Sequence, residues 1–357
     1  MSVEGEAIDH NAGRTPRNGV GRSSAPLRAL VIAATILGVG LFAILVYSVG
    51  INEIVANITE FGFAGFAVIC GIYLARIAAR ATAWNLSVSG QHSLTLRDTI
   101  PAVIVGEALS SMIPLGILVS GTAKALSVRK RVPLVVGLSS VATENIFYSF
   151  VTSAFLIIGA LTLLKVFTLD NAWVITINVL IAGIGAVFLV LLVMVVRQWH
   201  FASGLLDWFI RRRIGGMSFS NLRSSAQRFE DLIYGFYRKY PRRFLPICLF
   251  ETTYHALGVI EVYFILMQMS SATFLNSFLL ESVSRTITIV FKFVPFMIGV
   301  DEAGAHFVAE TVGVGAAVGV TLAVIRKGRI LFWALVGLLI MTKRGLSFAH
   351  LFSAHET

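Results

Sequence analysis

Long apolar runs divide this chain, and a run of some 20 apolar residues needs a non-aqueous solvent around it. A bilayer core about 30 Å thick is crossed by about 20 helical residues at 1.5 Å rise each. The runs are Ala29–Val49, Phe61–Leu86, Val132–Leu164, Trp173–Val196, Phe244–Met269, Ala303–Ile325 and the shorter Ile330–Thr342. Two further apolar segments carry proline: Thr99–Ser120, with Pro101 and Pro114, and Phe274–Val300, with Pro295. Proline removes a helical hydrogen bond. Interrupted backbone at membrane depth persists only where protein buries it or a cavity lines it. Charged residues make up 13% of the chain, against about 25% in soluble domains. The expected fold is an all-α polytopic membrane protein with about seven spanning helices and two Pro-broken re-entrant segments.

The formal charge of +10 suggests nucleic acid until its placement is considered. The bases sit in connections beside apolar runs, as the positive-inside rule requires, so no nucleic-acid partner is expected. Gly50–Glu60 has no Lys or Arg, Ser120–Arg131 has four and Arg197–Arg243 has ten. The N-terminus and both basic stretches are therefore expected on the cytoplasmic side of a bacterial inner membrane. Residues 1–28 read as a disordered cytoplasmic tail, and 346–357 as a second tail. Ala29–Val49 is too long for a signal-peptide h-region and reads as a retained helix. Cys70 and Cys248 lie inside apolar runs and supply neither a disulfide framework nor a metal spacing.

Within a membrane domain over 29–345, two halves share a plan. Repeat one, 61–196, and repeat two, 244–342, each hold a span, a broken segment and two more spans. They enter the membrane from opposite sides, the pattern of inverted repeats. Both breaks place small residues after proline, as in Pro114-Leu115-Gly116 and Pro295 through Gly299. The connection 197–243 mixes aromatics with bases and is too polar to span. It reads either as an amphipathic stretch on anionic lipid or as an ordinary positive-inside loop.

Ionisable groups at membrane depth cost at least about 2.5–3.5 kcal/mol each, so they usually face a partner or a cavity. Arg76, Arg80 and Trp84 share one helix face at i, i+4 and i+8. Two guanidiniums there suit a phosphate, although snorkelling would also place them. Glu107, before Pro114, and Glu144, beside Asn145, are acidic candidates. Glu251 and His255, at i and i+4, offer a proton relay or a helix–helix hydrogen bond. Glu281, Arg285 and Lys292 form a stripe leading to Asp301 and Glu302 past Pro295. Glu302, His306 and Glu310 recur every four residues, but HExxH is absent, and neither metal nor cofactor is expected. No Walker A loop or Gly-x-Ser-x-Gly elbow occurs. No polar stretch reaches the roughly 50 residues of a catalytic domain.

Three segments carry a family resemblance: Arg76 through Trp84; Ser110-Ser111-Met112-Ile113-Pro114 followed by Gly121 and Lys124; and Pro295 through Gly299-Val300-Asp301-Glu302. In order and spacing they resemble the lysylphosphatidylglycerol synthase transmembrane-region, or flippase-like, family over about residues 30–345. The sequence departs from the family pattern in a thinned glycine run, in Lys124 where arginine is common, and in the separation of Arg80 from Trp84. The resemblance implies translocation of a polar or anionic lipid, such as an aminoacylated phospholipid, glycolipid or hopanoid, without the fused aminoacyl-transferase domain.

The expected substrate-binding set is Arg76, Arg80, Trp84, Glu107, Lys124, Glu144, Glu251, His255, Arg285, Lys292, Asp301 and Glu302. Its partner would be a membrane lipid. Two alternatives stay open: a membrane-embedded transferase using Glu251 or His255 as base, and an accessory subunit that recruits a cytoplasmic lipid-modifying enzyme through 197–243.

Overall fold

A computed structural model describes residues 36, 39–44, 46–48, 50–90, 92–113, 116–198, 203–204, 218–269, 272–291 and 294–343. The two tails, most of the first apolar run, Pro114 and Lys292 lie outside these residues. Among the described residues every regular element is helical. The helices are α1 (Ile51–Leu86), α2 (Leu96–Met112), α3 (Gly116–Ser127), α4 (Leu134–Val166), α5 (Asn171–Arg197), α6 (Ser218–Lys239), α7 (Phe244–Met269), α8 (Phe274–Val290), α9 (Val300–Thr311) and α10 (Ala316–Lys343).

Four helical stretches are long and apolar enough to cross a bilayer: α1, α4, α5, and α7 with its preceding turn. The bounds of α7 are those expected, and α4 and α5 fall within two residues of theirs. α1 differs. It begins at Ile51, where a loop was expected, and bends at Gly62, whose φ of 62° leaves the helical region.

The largest departure is at the C-terminal end. The expected runs Ala303–Ile325 and Ile330–Thr342 are not separated at the basic cluster Arg326, Lys327 and Arg329. α10 runs unbroken for 28 residues with those charges at its centre. The interruption falls instead at 312–315, where Gly313 and Gly315 take positive φ. A charge count ends a span wherever bases cluster, but these bases have carboxylate partners on other helices.

Two helix pairs match in length. α2 has 17 residues, a break follows, and α3 has 12. α8 has 17, a break follows, and α9 has 12. A 12-residue helix covers about 18 Å, short of a bilayer core. Pro101 does not interrupt α2, which continues past it to Met112. Each longer arm starts at a threonine. The Asp98 carboxylate accepts from Thr95 N–H at 3.1 Å, and Thr273 Oγ1 accepts from Asn276 N–H at 3.1 Å. The second break is a 3-10 turn at Pro295–Met297, with Phe296 and Met297 at positive φ.

Packing follows the same exchange. α1 packs on α7, α2 on α10 and α4 on α8, while α3 meets α4 and α9 meets α10. The two cross-contacts are close because glycine allows it. A Cβ at Gly337 would strike Ala108, and one at Gly159 would strike Ser282. Helix directions are also paired. The end of α1 meets the start of α7 through Ala83, Leu86, Phe244 and Ile247, and Phe61 meets Phe264 at their other ends. Met341 at the end of α10 clusters with Leu126 and Leu134, which places it beside the start of α4.

Two elements stand outside this exchange. α5 buries only Ile177 and rests on α4. α6 is amphipathic, with Ile233, Tyr234 and Phe236 inward and Arg228, Asp231, Arg238 and Lys239 exposed. Phe236 and Tyr237 join Phe147 and Phe244 in an aromatic cluster. Arg243 Nη1 donates to the carbonyls of Leu86 and Val88 at 3.2 and 3.0 Å, satisfying orphan acceptors near the end of α1.

Candidate functional site

A cavity of about 720 Å³ lies between the two broken pairs. Its charged wall comes from Arg80, Glu107, Lys124, Arg285, Asp301, Arg326 and Arg329. Hydroxyls from Ser110, Ser111, Ser120, Thr152 and Ser284 lie among them. α5 adds an apolar lining through Val179, Leu180, Gly183, Ile184 and Val187, so the cavity has both ionic and apolar surface.

Arg76 and Arg80 stand one turn apart on α1, and each anchors a separate network. Arg76 is fully buried. Its Nη1 donates to Glu261 at 2.9 Å and its Nη2 to Glu281 at 3.2 Å. Glu281 also accepts from Arg285 Nε at 2.9 Å and Arg326 Nη2 at 2.7 Å. Glu261 lies 3.0 Å from Arg329 Nε and 3.7 Å from Arg326 Nε. Four guanidiniums therefore share two carboxylates, an excess of two positive charges beside the cavity.

The second network centres on Arg80. It donates to Glu107 at 2.7 Å, Glu144 at 2.8 Å and Asn145 at 3.2 Å. A third set joins α9 to α10. Lys327 pairs with Glu302 at 2.7 Å and approaches Asp301 at 4.0 Å. Ser284 donates to Asp301 at 2.8 Å and receives Arg326 Nη1 at 3.2 Å. Glu302 also accepts the Gly299 N–H at 2.8 Å, which fastens the start of α9 beside the break.

Tyr254 binds the two larger networks together. The guanidiniums of Arg76, Arg285 and Arg80 lie 4.6, 5.1 and 5.8 Å from its ring. Tyr148 lies 4.4 Å from Arg80 and Tyr73 lies 3.9 Å from Arg329.

Two cationic groups on the cavity wall have capacity to spare. Lys124 is buried and lines the cavity, with no hydrogen bond or ion pair within 4.0 Å among the described residues. Arg329 Nη1 is buried without an acceptor there. The family model for the lysylphosphatidylglycerol synthase transmembrane region matches residues 30–337. The chain belongs to that family. No curated protein and no solved structure matches it. Family membership and four span-length apolar helices make it a membrane protein.

The cavity gathers Arg80, Glu107, Lys124, Arg285 and Asp301 from the expected set. Glu144 holds the lining residue Arg80 from behind, while Glu302 pairs with Lys327, outside the lining. Arg76, Trp84, Glu251 and His255 lie outside the lining. Trp84 is a buried anchor whose Nε1 donates to Ser140 at 2.9 Å. His255 meets Thr152 through Nε2 at 2.9 Å and stacks against Tyr148 and Phe155. The transferase alternative would thus have to work with Glu251 and His255 away from the cavity surface. Lys292 lies outside the described residues. His306 approaches Glu310 at 3.7 Å while Glu302 pairs with Lys327, and no group of three or more such ligands occurs among the described residues.

Sequence reasoning left Arg326, Lys327 and Arg329 between two apolar runs and Tyr73, Tyr148 and Tyr254 unassigned. The available signal was glycine placement: Gly313 and Gly315 mark the helix boundary better than the basic cluster does.

Proposed function

We propose that the protein is a lipid translocase whose cavity holds a polar headgroup while the acyl chains remain in the bilayer. The observation that carries this reading is one cavity lined by Lys124, which has no hydrogen bond or ion pair among the described residues, by Arg329, whose Nη1 lacks an acceptor there, and by the apolar side chains of α5. A headgroup phosphate supplies the missing acceptors. The acidic groups Glu107 and Asp301 suit a headgroup amine, so an aminoacylated or otherwise zwitterionic phospholipid fits both kinds of lining. α5, whose outward side chains are apolar, is the side from which chains would extend.

The two broken pairs are read as re-entrant hairpins in inverted repeats. Equal arm lengths, exchanged packing partners and antiparallel α1 and α7 support this. Position-matched residues carry opposite charge. Glu107 and Arg285 are each the twelfth residue of α2 and α8, and Glu144 and Arg326 each the eleventh of α4 and α10. Such a site has an acidic half and a basic half around one near-symmetric cavity. With α2–α3 entering from the cytoplasm, Arg129–Arg131, α6 and Lys343 fall on the cytoplasmic side of the inner membrane.

The test is reconstitution into liposomes with fluorescent anionic, zwitterionic and aminoacylated lipids, following leaflet distribution. Accelerated flipping of at least one class is expected. Background rates for all of them would end this reading.

A further inference from the structure

Glu251 has no place in the networks described above. It is fully buried on α7, and neither carboxyl oxygen has a hydrogen-bond partner among the described residues. What it does face is a second carboxyl. Glu251 lies within hydrogen-bonding reach of Glu144 on α4. Glu144 Oε2 is likewise without a partner, while its Oε1 accepts from Arg80 Nε at 2.8 Å.

Two carboxylates this close cannot both keep a negative charge cheaply away from water. One proton between them turns the repulsion into an O–H···O⁻ hydrogen bond. The other groups acting on Glu251 and its neighbourhood are Arg80 from α1, Glu107 from α2, Lys124 from α3, Tyr148 from α4 and Cys248 on α7 itself. His255, one turn along, is engaged with Thr152. Arg80 and Lys124 also line the cavity, so the carboxyl pair acts on two groups that would meet a headgroup.

We propose that Glu144 and Glu251 form a proton-binding site, one proton shared by two carboxyls, which Arg80 couples to the cavity. Loss of the proton adds a negative charge beside Arg80 and Lys124, and that charge competes with an anionic headgroup. Gain of the proton removes that added charge, while Arg80 keeps its pairing with Glu107. Binding of an anionic headgroup therefore takes up a proton, and its release gives one back. This coupling rests on the translocase reading; the proton site itself does not.

The first experiment needs no lipid. Infrared spectra of the purified protein are taken across a pH titration. Wild type should show the C=O stretch of a buried protonated carboxyl at neutral pH, fading as the pH rises. Glu251→Gln and Glu144→Gln should each remove it. A wild-type protein that stays folded without that band at any pH overturns the proposal, as does a band that survives both substitutions.

The second experiment measures binding of an anionic lipid, its flipping and luminal pH in liposomes. Wild-type headgroup affinity should fall about tenfold per pH unit above the ionisation of the pair, the slope of one linked proton, and Glu251→Gln should flatten that profile. Flipping with no acid band and an unchanged Glu251→Gln profile sinks the proton site and leaves the translocase standing. An acid band with background flipping for every lipid sinks the translocase and leaves the proton site standing.

Discussion

Arg80 Nη1 reaches Glu107 on α2 at 2.7 Å, so a spanning helix is held to the longer arm of the first broken pair by a charge pair at the cavity wall. The same guanidinium holds Glu144 on α4 at 2.8 Å. Removing it leaves two carboxylates without their cation in a low-dielectric setting. Breaking one partner out of such a buried set costs about 3–5 kcal/mol. Arg80→Ala should lower unfolding stability by about that amount, measured by denaturant titration in detergent. A variant within about 1 kcal/mol of wild type would mean that the carboxylates do not depend on Arg80.

Lys124 makes the opposite prediction. It has no hydrogen bond or ion pair among the described residues to lose, and its stem lies against Gly106. Lys124→Met keeps the length and apolar character of that stem, so stability should stay within about 1 kcal/mol of wild type. A charge-assisted hydrogen bond to a headgroup contributes about 1.5–3 kcal/mol, so flipping should slow roughly 10–100-fold. A folded Lys124→Met protein with wild-type flipping would remove the headgroup from this end of the cavity.

The contrast between these residues also explains what could be read from the sequence. α7 was legible residue for residue because an uninterrupted apolar run has one physical solution in a membrane. Arg76 and Arg80 were legible as buried groups because a base that deep needs a reason. Their partners were not: Arg76 meets Glu261 and Glu281 across 185 and 205 residues of chain. The same remoteness hid α10. Arg326 and Arg329 look like the edge of a span until Glu261 and Glu281 are known to be opposite them. Trp84 and His255 show the reverse. Residue type made them candidates, but packing makes one an anchor and the other part of an aromatic stack.

Gly258 on α7 marks where the basic network is tightest. A Cβ there would collide with the Glu281 carboxylate and come within 3.0 Å of Arg76 Nη2. The carboxylate cannot retreat without loosening three arginines. Gly258→Ala should therefore destabilise by about 1–3 kcal/mol, as overpacking does, despite the better helix propensity of alanine. Gly71 on α1 has no atom within 4 Å of its Cβ position. Gly71→Ala serves as the control and should be neutral or slightly stabilising in the same unfolding titration. Equal effects at the two sites would show that the carboxylate has room to move.

The direction of α10 decides the topology. Met341 clusters with Leu126 and Leu134, so Lys343 must emerge on the face that carries Arg129. Glu310 and Asp170 are exposed near the opposite end, where Trp173 meets Phe307 at a ring-centroid distance of 4.2 Å. A background of Cys70→Ser and Cys248→Ser removes both native thiols. In it, Arg129→Cys and Lys343→Cys should react with a membrane-impermeant maleimide only in inside-out vesicles. Glu310→Cys and Asp170→Cys should react only in right-side-out ones. If α10 were instead two spans separated by a loop at Arg326–Arg329, Arg129→Cys and Lys343→Cys would label from opposite faces. That result would overturn the proposed inverted repeat, because α4 and α10 would no longer cross the membrane as single helices in opposite directions.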